Sequence, residues 1–421
     1  MAWMIDWNIV TVSLVLALLL VWNLEFVATL LDLRAFPATV PGELRNVMDD
    51  SKLARAREYL LARSRFDIVR SLASLFLLLT FWLAGGFGWL DTVARAADLG
   101  PVATGLVFIA AVVAGQSLVS LPFSIYDTFV IENRFGFNRT TPAVFAADRL
   151  KGIALMAVVG LPPMAAVLWC FHQVEHAWLW AWLAVSVFQL LLAWLAPAVI
   201  LPLFNKFTPM PDGALKEAIR DLGTRCGFPL ASVSVMDGSK RSTKANAFFT
   251  GFGRHRRIAL YDTLVDTCTQ DELLGVLAHE IGHHRCGHIR QRIAAGLLQT
   301  AVIFFLLGIA TDPQGGFARL LFDAFGVRDI SPHAGLVLFA ILLGPVSRVL
   351  DVALNAWSRR HEYEADAYAA TATGDAAPLA SALRNMTADH LAHPSPAALR
   401  VWLDHSHPPL LARLRALGQG D

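Results

Sequence analysis

Charge is scarce in this chain: 16% of its 421 residues are Asp, Glu, Lys or Arg, against about 25% in an ordinary soluble domain. That shortage argues against a conventional water-soluble enzyme. Neither sign is in excess, since Lys+Arg 35 against Asp+Glu 34 leaves a formal net charge of +1. No global basic field is present to attract nucleic acid, and no nucleic-acid partner is expected. Cysteine is sparse as well. Cys170, Cys226, Cys268 and Cys286 lie far apart and form no C-x-x-C pair, which excludes a disulfide scaffold. Low-complexity tracts and internal repeats are missing, so a solenoid or a two-half transporter is not indicated. What the chain has is apolar residues, 55% of the total, with a mean hydropathy of +0.50. Such a composition excludes disorder.

The apolar residues are concentrated in seven runs, near 8–31, 67–90, 101–122, 152–172, 177–203, 292–311 and 333–354. Each is long enough to cross about 30 Å of hydrocarbon, which takes roughly 20 residues. Gln116 interrupts the third and Pro197 and Pro202 the fifth, which is tolerated where a neighbouring helix or water satisfies the backbone. The first run lacks the basic leader and small-residue cleavage site of a signal peptide, and it reads as a retained span. Arg and Lys gather between spans one and two (Arg34, Arg45, Lys52, Arg55, Arg57) and between three and four (Arg134, Arg139, Arg149, Lys151). By the positive-inside rule these loops face the cytosol and the N-terminus faces outward. Alternation then places 204–291 and 355–421, the only long polar segments, on the cytosolic side. The expected organisation is a five-span region over 1–203, a polar domain over 204–291, spans six and seven over 292–354, and a helical C-terminal part over 355–421.

Within DELLGVLAHEIGHHRCGHIR (271–290), Leu273, Leu274, Leu277, Ala278 and Ile281 recur at helical spacing. His279 and His283 are then i and i+4 on one face, where both imidazoles reach a single Zn²⁺ at about 2.0–2.1 Å. Glu280, about 100° round the helix, leans over the open coordination position as a general base. The metzincin pattern would require a glycine and then a histidine at the two positions where this chain has Cys286 and Ile289, so the third ligand must come from elsewhere. His284 and His288 are off the register of the pair and read as surface or supporting groups, and Cys286 as a small apolar residue. In SRRHEYEADAYAA (358–370), Glu362 supplies a zinc ligand, and Asp366, one turn on, accepts the second N–H of a ligand histidine. Glu364 points elsewhere, into solvent. Two spans separate His283 from Glu362, which returns both to the same side of the membrane. Taken alone, a charged juxtamembrane helix is the lesser reading of the run.

Segment 240–262 has the alternation of a β-hairpin around Gly251 and Gly253. An edge strand through Asn246, Ala247 and Phe248 would hold an extended peptide by strand addition, with Asn246 clamping a carbonyl, although an Asn at a strand end is an equally good reading. In HSHPPLLARLRAL (405–417), a histidine near the metal would donate to the oxyanion of a tetrahedral intermediate; a purely structural turn histidine is the commoner case.

Taken together, FVIENRFGFNRTT (129–141), LPLFNKFTPMPDG (201–213), DGSKRSTKANAFFTGFG (237–253), AHEIGHH (278–284), SRRHEYEADAYA (358–369) and HSHPPLLARL (405–414) resemble the CaaX prenyl protease 1 family, integral-membrane zinc endopeptidases. The resemblance runs almost end to end. It implies a mainly α membrane protein whose seven transmembrane helices enclose a water-filled chamber, with a zincin domain and a small β-hairpin on the cytosolic side. It implies one Zn²⁺ on His279, His283 and Glu362, Glu280 as general base, Asp366 behind the metal, His407 stabilising the transition state, and Asn246, Ala247 and Phe248 along the substrate. Arg413 is grouped with the substrate-binding residues as a supporting group. Lys244 stands where many relatives carry His. The implied partners are a peptide or lipidated polypeptide substrate and membrane lipid, with the chain a monomer. The C-terminus lacks a dilysine retention signal, which favours a bacterial cytoplasmic membrane over the endoplasmic reticulum expected of a eukaryotic member. The sequence leaves two alternatives: a membrane quality-control protease of the HtpX type, and a non-catalytic membrane chaperone or transporter with structural zinc.

Overall fold

The computed structural model describes residues 5–228, 230, 232–250 and 257–420, with the backbone alone for 247–250 and 257. The membrane region opens with α1 (Ile9–Ala35), α2 (Asp50–Leu83) and the short amphipathic α3 (Gly86–Ala96). It continues through α4 (Pro101–Tyr126), α5 (Pro142–Leu155), α6 (Leu161–Gln173), α7 (Ala177–Leu195) and α8 (Leu201–Phe204). π-helical turns at Asp127–Glu132, Met156–Gly160 and Ala196–Ile200 extend α4 and join α5 to α6 and α7 to α8. The second and third lie just before a proline, Pro162 and Pro202, which cannot donate to the ladder and crowds the preceding carbonyls. Among the described residues, seven helical stretches are long and apolar enough to span a membrane. Their large side chains are widely exposed, with Leu20 70%, Val158 72% and Val349 73% accessible. No other described element covers these faces, as befits surfaces meant for lipid.

The second span is shifted from its expected place. α2 starts at Asp50 and stops at Leu83, because Gly85, at φ 79°, breaks the chain before α3. α3 lies across the end of the bundle remote from the polar domains, where Trp82 is buried and donates to the Ala324 carbonyl at 2.8 Å. Asp91 of α3 meets His333 at 2.7 Å there.

The polar region begins with β1 (Phe207–Pro209), α9 (Ala214–Arg225), β2 (Ser232–Met236), β3 (Ala247–Thr250), β4 (Arg257–Tyr261), α10 (Asp262–Thr267) and α11 (Gln270–Arg285). The expected hairpin is present: β3 pairs antiparallel with β4, Phe248 opposite Ala259, and its tip at 251–256 lies outside the described residues. β4 runs parallel to β2 and β2 antiparallel to β1, giving the order β1-β2-β4-β3 with β3 at an edge. α12 (His288–Ala310) and α13 (Gly316–Ala324) follow, then the 42-residue α14 (Pro332–Thr373), α15 (Ala377–Asp389), α16 (Ala398–Asp404) and α17 (Leu410–Ala416). The boundary expected at 354/355 falls in the middle of α14. Residues 355–366 contain neither Gly nor Pro, so the helix continues unbroken from the last span into the polar domain. At about 1.5 Å per residue α14 measures about 63 Å, twice the hydrocarbon thickness.

A single apolar core holds the polar segments together: Ile219, Leu260, Leu264, Leu273, Leu277, Ile281, Ala369 and Leu379 pack in one cluster. A second cluster joins the first inter-span loop, through Leu44, Met48 and Leu53, to Leu410 and Leu414 of α17.

Candidate metal centre

α11 is fixed at its start. The Thr269 hydroxyl accepts from the Glu272 N–H at 3.3 Å, and the Glu272 carboxylate accepts from the Thr269 N–H at 2.8 Å. The same carboxylate takes Ser381 at 2.5 Å and Asn385 at 2.8 Å, tying the helix to α15. Leu273, Leu277, Ala278 and Ile281 face the core, which turns His279 and His283 toward α14. Gly275 and Gly282 permit the close fit. A Cβ on Gly282 would stand 3.1 Å from the Ala365 backbone, and one on Gly275 2.9 Å from the Leu379 nitrogen.

Across this interface the three expected ligands converge. His279 Nε2 and His283 Nε2 are 3.2 Å apart, His279 Nε2 and Glu362 Oε2 3.4 Å, and His283 Nε2 and Glu362 Oε1 3.3 Å. Donors about 2.0–2.1 Å from one tetrahedral ion must lie about 3.3–3.4 Å from each other, so the three atoms already mark one face of such a tetrahedron. Glu362 Oε2 is buried and has no hydrogen-bond partner among the described residues, a costly state that an ion would relieve. The donor set of two imidazoles and a carboxylate suits zinc, and these residues fit a metal ion.

Behind His279, Asp366 Oδ1 approaches Nδ1 at 2.8 Å. Arg413 lies beneath the site, where its guanidinium donates to both Asp366 oxygens at 2.8 and 2.6 Å. It is buried, and in this position it holds Asp366. Burial drives the His279 ring toward neutrality, but the Asp366 and Glu362 carboxylates beside it outweigh that and push its pKa up to about 9 in the metal-free chain. Glu280 is half-buried, and that burial raises its carboxyl above the usual range despite the neighbouring imidazoles. Its carboxylate makes no hydrogen bond among the described residues. His407 Nε2 lies 3.4 Å from Glu362 Oε1, on the open side of the site, with 65% of its side chain exposed. Glu364 is not simply solvated: it meets Arg360 at 2.9 Å and the buried His288 at 3.0 Å.

β3 carries Ala247 and Phe248 beside α11, and its outer edge is unpaired among the described residues. Asn246 is exposed just ahead of it, with its carbonyl accepting from the Tyr261 N–H at 3.1 Å. The segment leading into β3 is held by Tyr59, Glu132 and His390, none of which the sequence singled out. Lys244 donates to Tyr59 and Glu132, each at 3.0 Å, and its ammonium sits 4.5 Å from the Phe137 ring centroid. The Ala245 N–H donates to His390 Nε2 at 3.1 Å, and burial keeps that ring neutral and able to accept. The block around Phe137 thus has a mechanical purpose, since Phe137 also accepts from the Thr243 N–H at 3.2 Å, and Asn138 bridges Ser242. The loop bearing His407 is held likewise. Arg348 and Asn355 of α14 donate to the Leu403 carbonyl at 3.1 and 2.9 Å, and Arg359 donates to those of Val401 and His405 at 3.0 and 2.8 Å.

Fold and site together define a multi-pass membrane metallopeptidase. A family model for the CAAX prenyl protease N-terminal region, five membrane helices, matches residues 31–206, and one for peptidase family M48 matches 209–420. A CAAX prenyl protease 1 homolog of Oryza sativa subsp. japonica is 35% identical, covering 93% of this chain and 94% of its own. The CAAX prenyl protease 1 of Saccharomyces cerevisiae is 34% identical, over 90% of this chain and 88% of its own. The crystal structure of S. mikatae Ste24p superimposes with a TM-score of 0.88 at 32% identity, covering 97% of this chain and 99% of that one. The chain therefore belongs to the CAAX prenyl protease 1 family of M48 metalloendopeptidases. The HtpX-type and non-catalytic alternatives are not favoured, given the match over the five-helix N-terminal region.

Proposed function

We propose that the chain is a zinc endopeptidase, one ion per monomer, that cuts near the C-terminus of prenylated or other membrane-associated polypeptides. We place the site at the cytosolic face of a bacterial cytoplasmic membrane, or of the endoplasmic reticulum were the source eukaryotic. The observation that carries the reading is the tetrahedral spacing of His279, His283 and Glu362 beside a Glu280 that makes no hydrogen bond among the described residues. The basic first and third loops pack against the domain that would hold the site, through Lys52 on Asp389 and the Arg139 N–H on the Arg241 carbonyl. This supports a cytosolic site under the positive-inside rule. Gln116, Ser117 and Ser120 are exposed along the apolar α4, which supports a wet interior between the spans.

Zinc held by the three ligands would supply Lewis acidity at the scissile carbonyl. Substrate lies extended against β3, its backbone paired with the free strand edge and one carbonyl clamped by Asn246. Glu280, its carboxyl raised by burial, takes the proton of the attacking water and passes it to the departing amine. His407 donates to the oxygen on which negative charge develops. Membrane lipid surrounds the spans and delivers the lipidated chain end.

The test is cleavage of matched prenylated and unprenylated peptides by the purified protein and its Glu280→Gln variant. The variant is expected to keep its zinc and lose turnover. Undiminished turnover would remove Glu280 from the reaction, and equal cleavage of both peptides would remove prenylation from the specificity.

A further inference from the structure

The two ligand imidazoles are backed differently. His279 has a carboxylate behind it, Asp366 at 2.8 Å. Behind His283 stands another histidine, the two Nδ1 atoms 3.0 Å apart. Two ring nitrogens at that distance must share one proton, one donating and one accepting. His283 turns its Nε2 toward His279 and Glu362, so a metal takes that lone pair and leaves the proton on Nδ1. His288 Nδ1 must then accept, which puts the His288 proton on Nε2. Glu364 Oε2 sits 3.0 Å from that nitrogen. Each tautomer in the row is thereby determined, and the row ends on a carboxylate paired with Arg360 at 2.9 Å.

The middle member is held rigidly. His288 is 1% exposed and stacks on His361, ring centroids 3.9 Å apart at 9°. His361 is in turn held by Gln291 at 3.0 Å and by the edge of Trp357 at 4.7 Å. Gly287, at φ 78°, makes the sharp turn between α11 and α12 that folds His288 back onto His283.

We propose that His288 is a positioning residue that fixes the proton and ring orientation of His283, and that Glu364 acts on the metal centre through it. The proposal rests on the metal reading above. An imidazole is a weaker acceptor than a carboxylate, and the charge of Glu364 relayed through His288 brings it closer to the support Asp366 gives His279.

The experiment measures zinc affinity of the full-length protein by chelator competition, alongside unfolding temperature in the metal-free state. H288F removes the acceptor and is expected to weaken zinc about 10–100-fold. H288N keeps an amide oxygen near the place of Nδ1 and is expected to restore most of the loss. E364Q, at a 41% exposed side chain, is expected to weaken zinc by a smaller factor, and the H288F/E364Q pair to be no weaker than H288F alone. Parent-like affinity in both H288F and E364Q would overturn the relay, as would losses that simply multiply in the pair. Should H288F fail to fold, E364Q decides alone, with unchanged affinity overturning the proposal. A parent chain that takes up no zinc would overturn the metal reading, and the relay with it.

Discussion

At the scale of single residues, the centre consists of groups whose ordinary behaviour is altered by what surrounds them. His279 is held near a pKa of about 9 in the metal-free chain, above its usual 6.5. A folded-state value above the unfolded one gives stability that is complete below the unfolded pKa and is lost as pH rises through the folded one. Metal-stripped protein is therefore expected to lose thermal stability between about pH 6.5 and 9, and zinc-loaded protein to lack that decline because its Nε2 no longer titrates. A metal-stripped unfolding temperature that stays flat or rises across this window would contradict the assignment. His407 makes a separate prediction. If it donates to the developing oxyanion, His407→Ala lowers kcat by about 10²–10³ and leaves zinc content unchanged; a rise in KM alone, with kcat intact, would assign it to substrate binding instead. His279, Glu280 and His283 could be read because all three are set by the period of one helix, and Glu362 and Asp366 because they are one turn apart. Lys244, Tyr59 and Glu132 could not, since no local pattern links a strand entry to two different spans.

At the scale of elements, two close contacts govern how the centre is assembled. α11 lies against α15 at Gly275, where an added Cβ would be 2.9 Å from the Leu379 backbone nitrogen. Backbone cannot swing aside as a flexible side chain can, so Gly275→Ala is expected to cost about 1–3 kcal/mol, seen as a lower unfolding temperature of the loaded protein. An unchanged temperature would mean that α15 yields. α14 supports the His407 loop through Arg359, whose guanidinium reaches two carbonyls around α16. Arg359→Gln is expected to reduce kcat while zinc affinity remains at the parent value; loss of zinc would place the fault at Glu362, three residues on. The sequence announced α14 only in halves, an apolar run and a charged motif. Helix continuity between them depended on the missing Gly and Pro, a negative signal that hydropathy does not register. The reverse error shifted α2, where the apolar stretch runs past the glycines that end the helix.

At the scale of the whole molecule, the membrane part and the cutting part are one mechanical object. Glu132 and Tyr59 hold the entry to β3 through Lys244, and α14 carries Glu362, the proposed third ligand, at the far end of the last span. One alanine inserted into α14 after Asn355 would turn everything beyond it by about 100°. Such a protein is expected to insert normally and bind no zinc; retained zinc would show that α14 is not the rigid carrier of Glu362. The seven spans were legible from hydropathy because lipid imposes a strict length on them. The shared core of 204–291 with 355–421 was legible only as parity, because the contacts that join them connect residues far apart in the chain.

The position of Glu362 also bears on how the protein is made. A ribosome that has finished α11 has produced both histidines and the acid between them, yet the last donor is still unsynthesised and lies beyond two further membrane crossings. On the ligand set proposed above, the nascent chain would hold at most a two-pronged grip on metal until translation reaches the end of that final rod, and would be unable to cut its neighbours at the translocon.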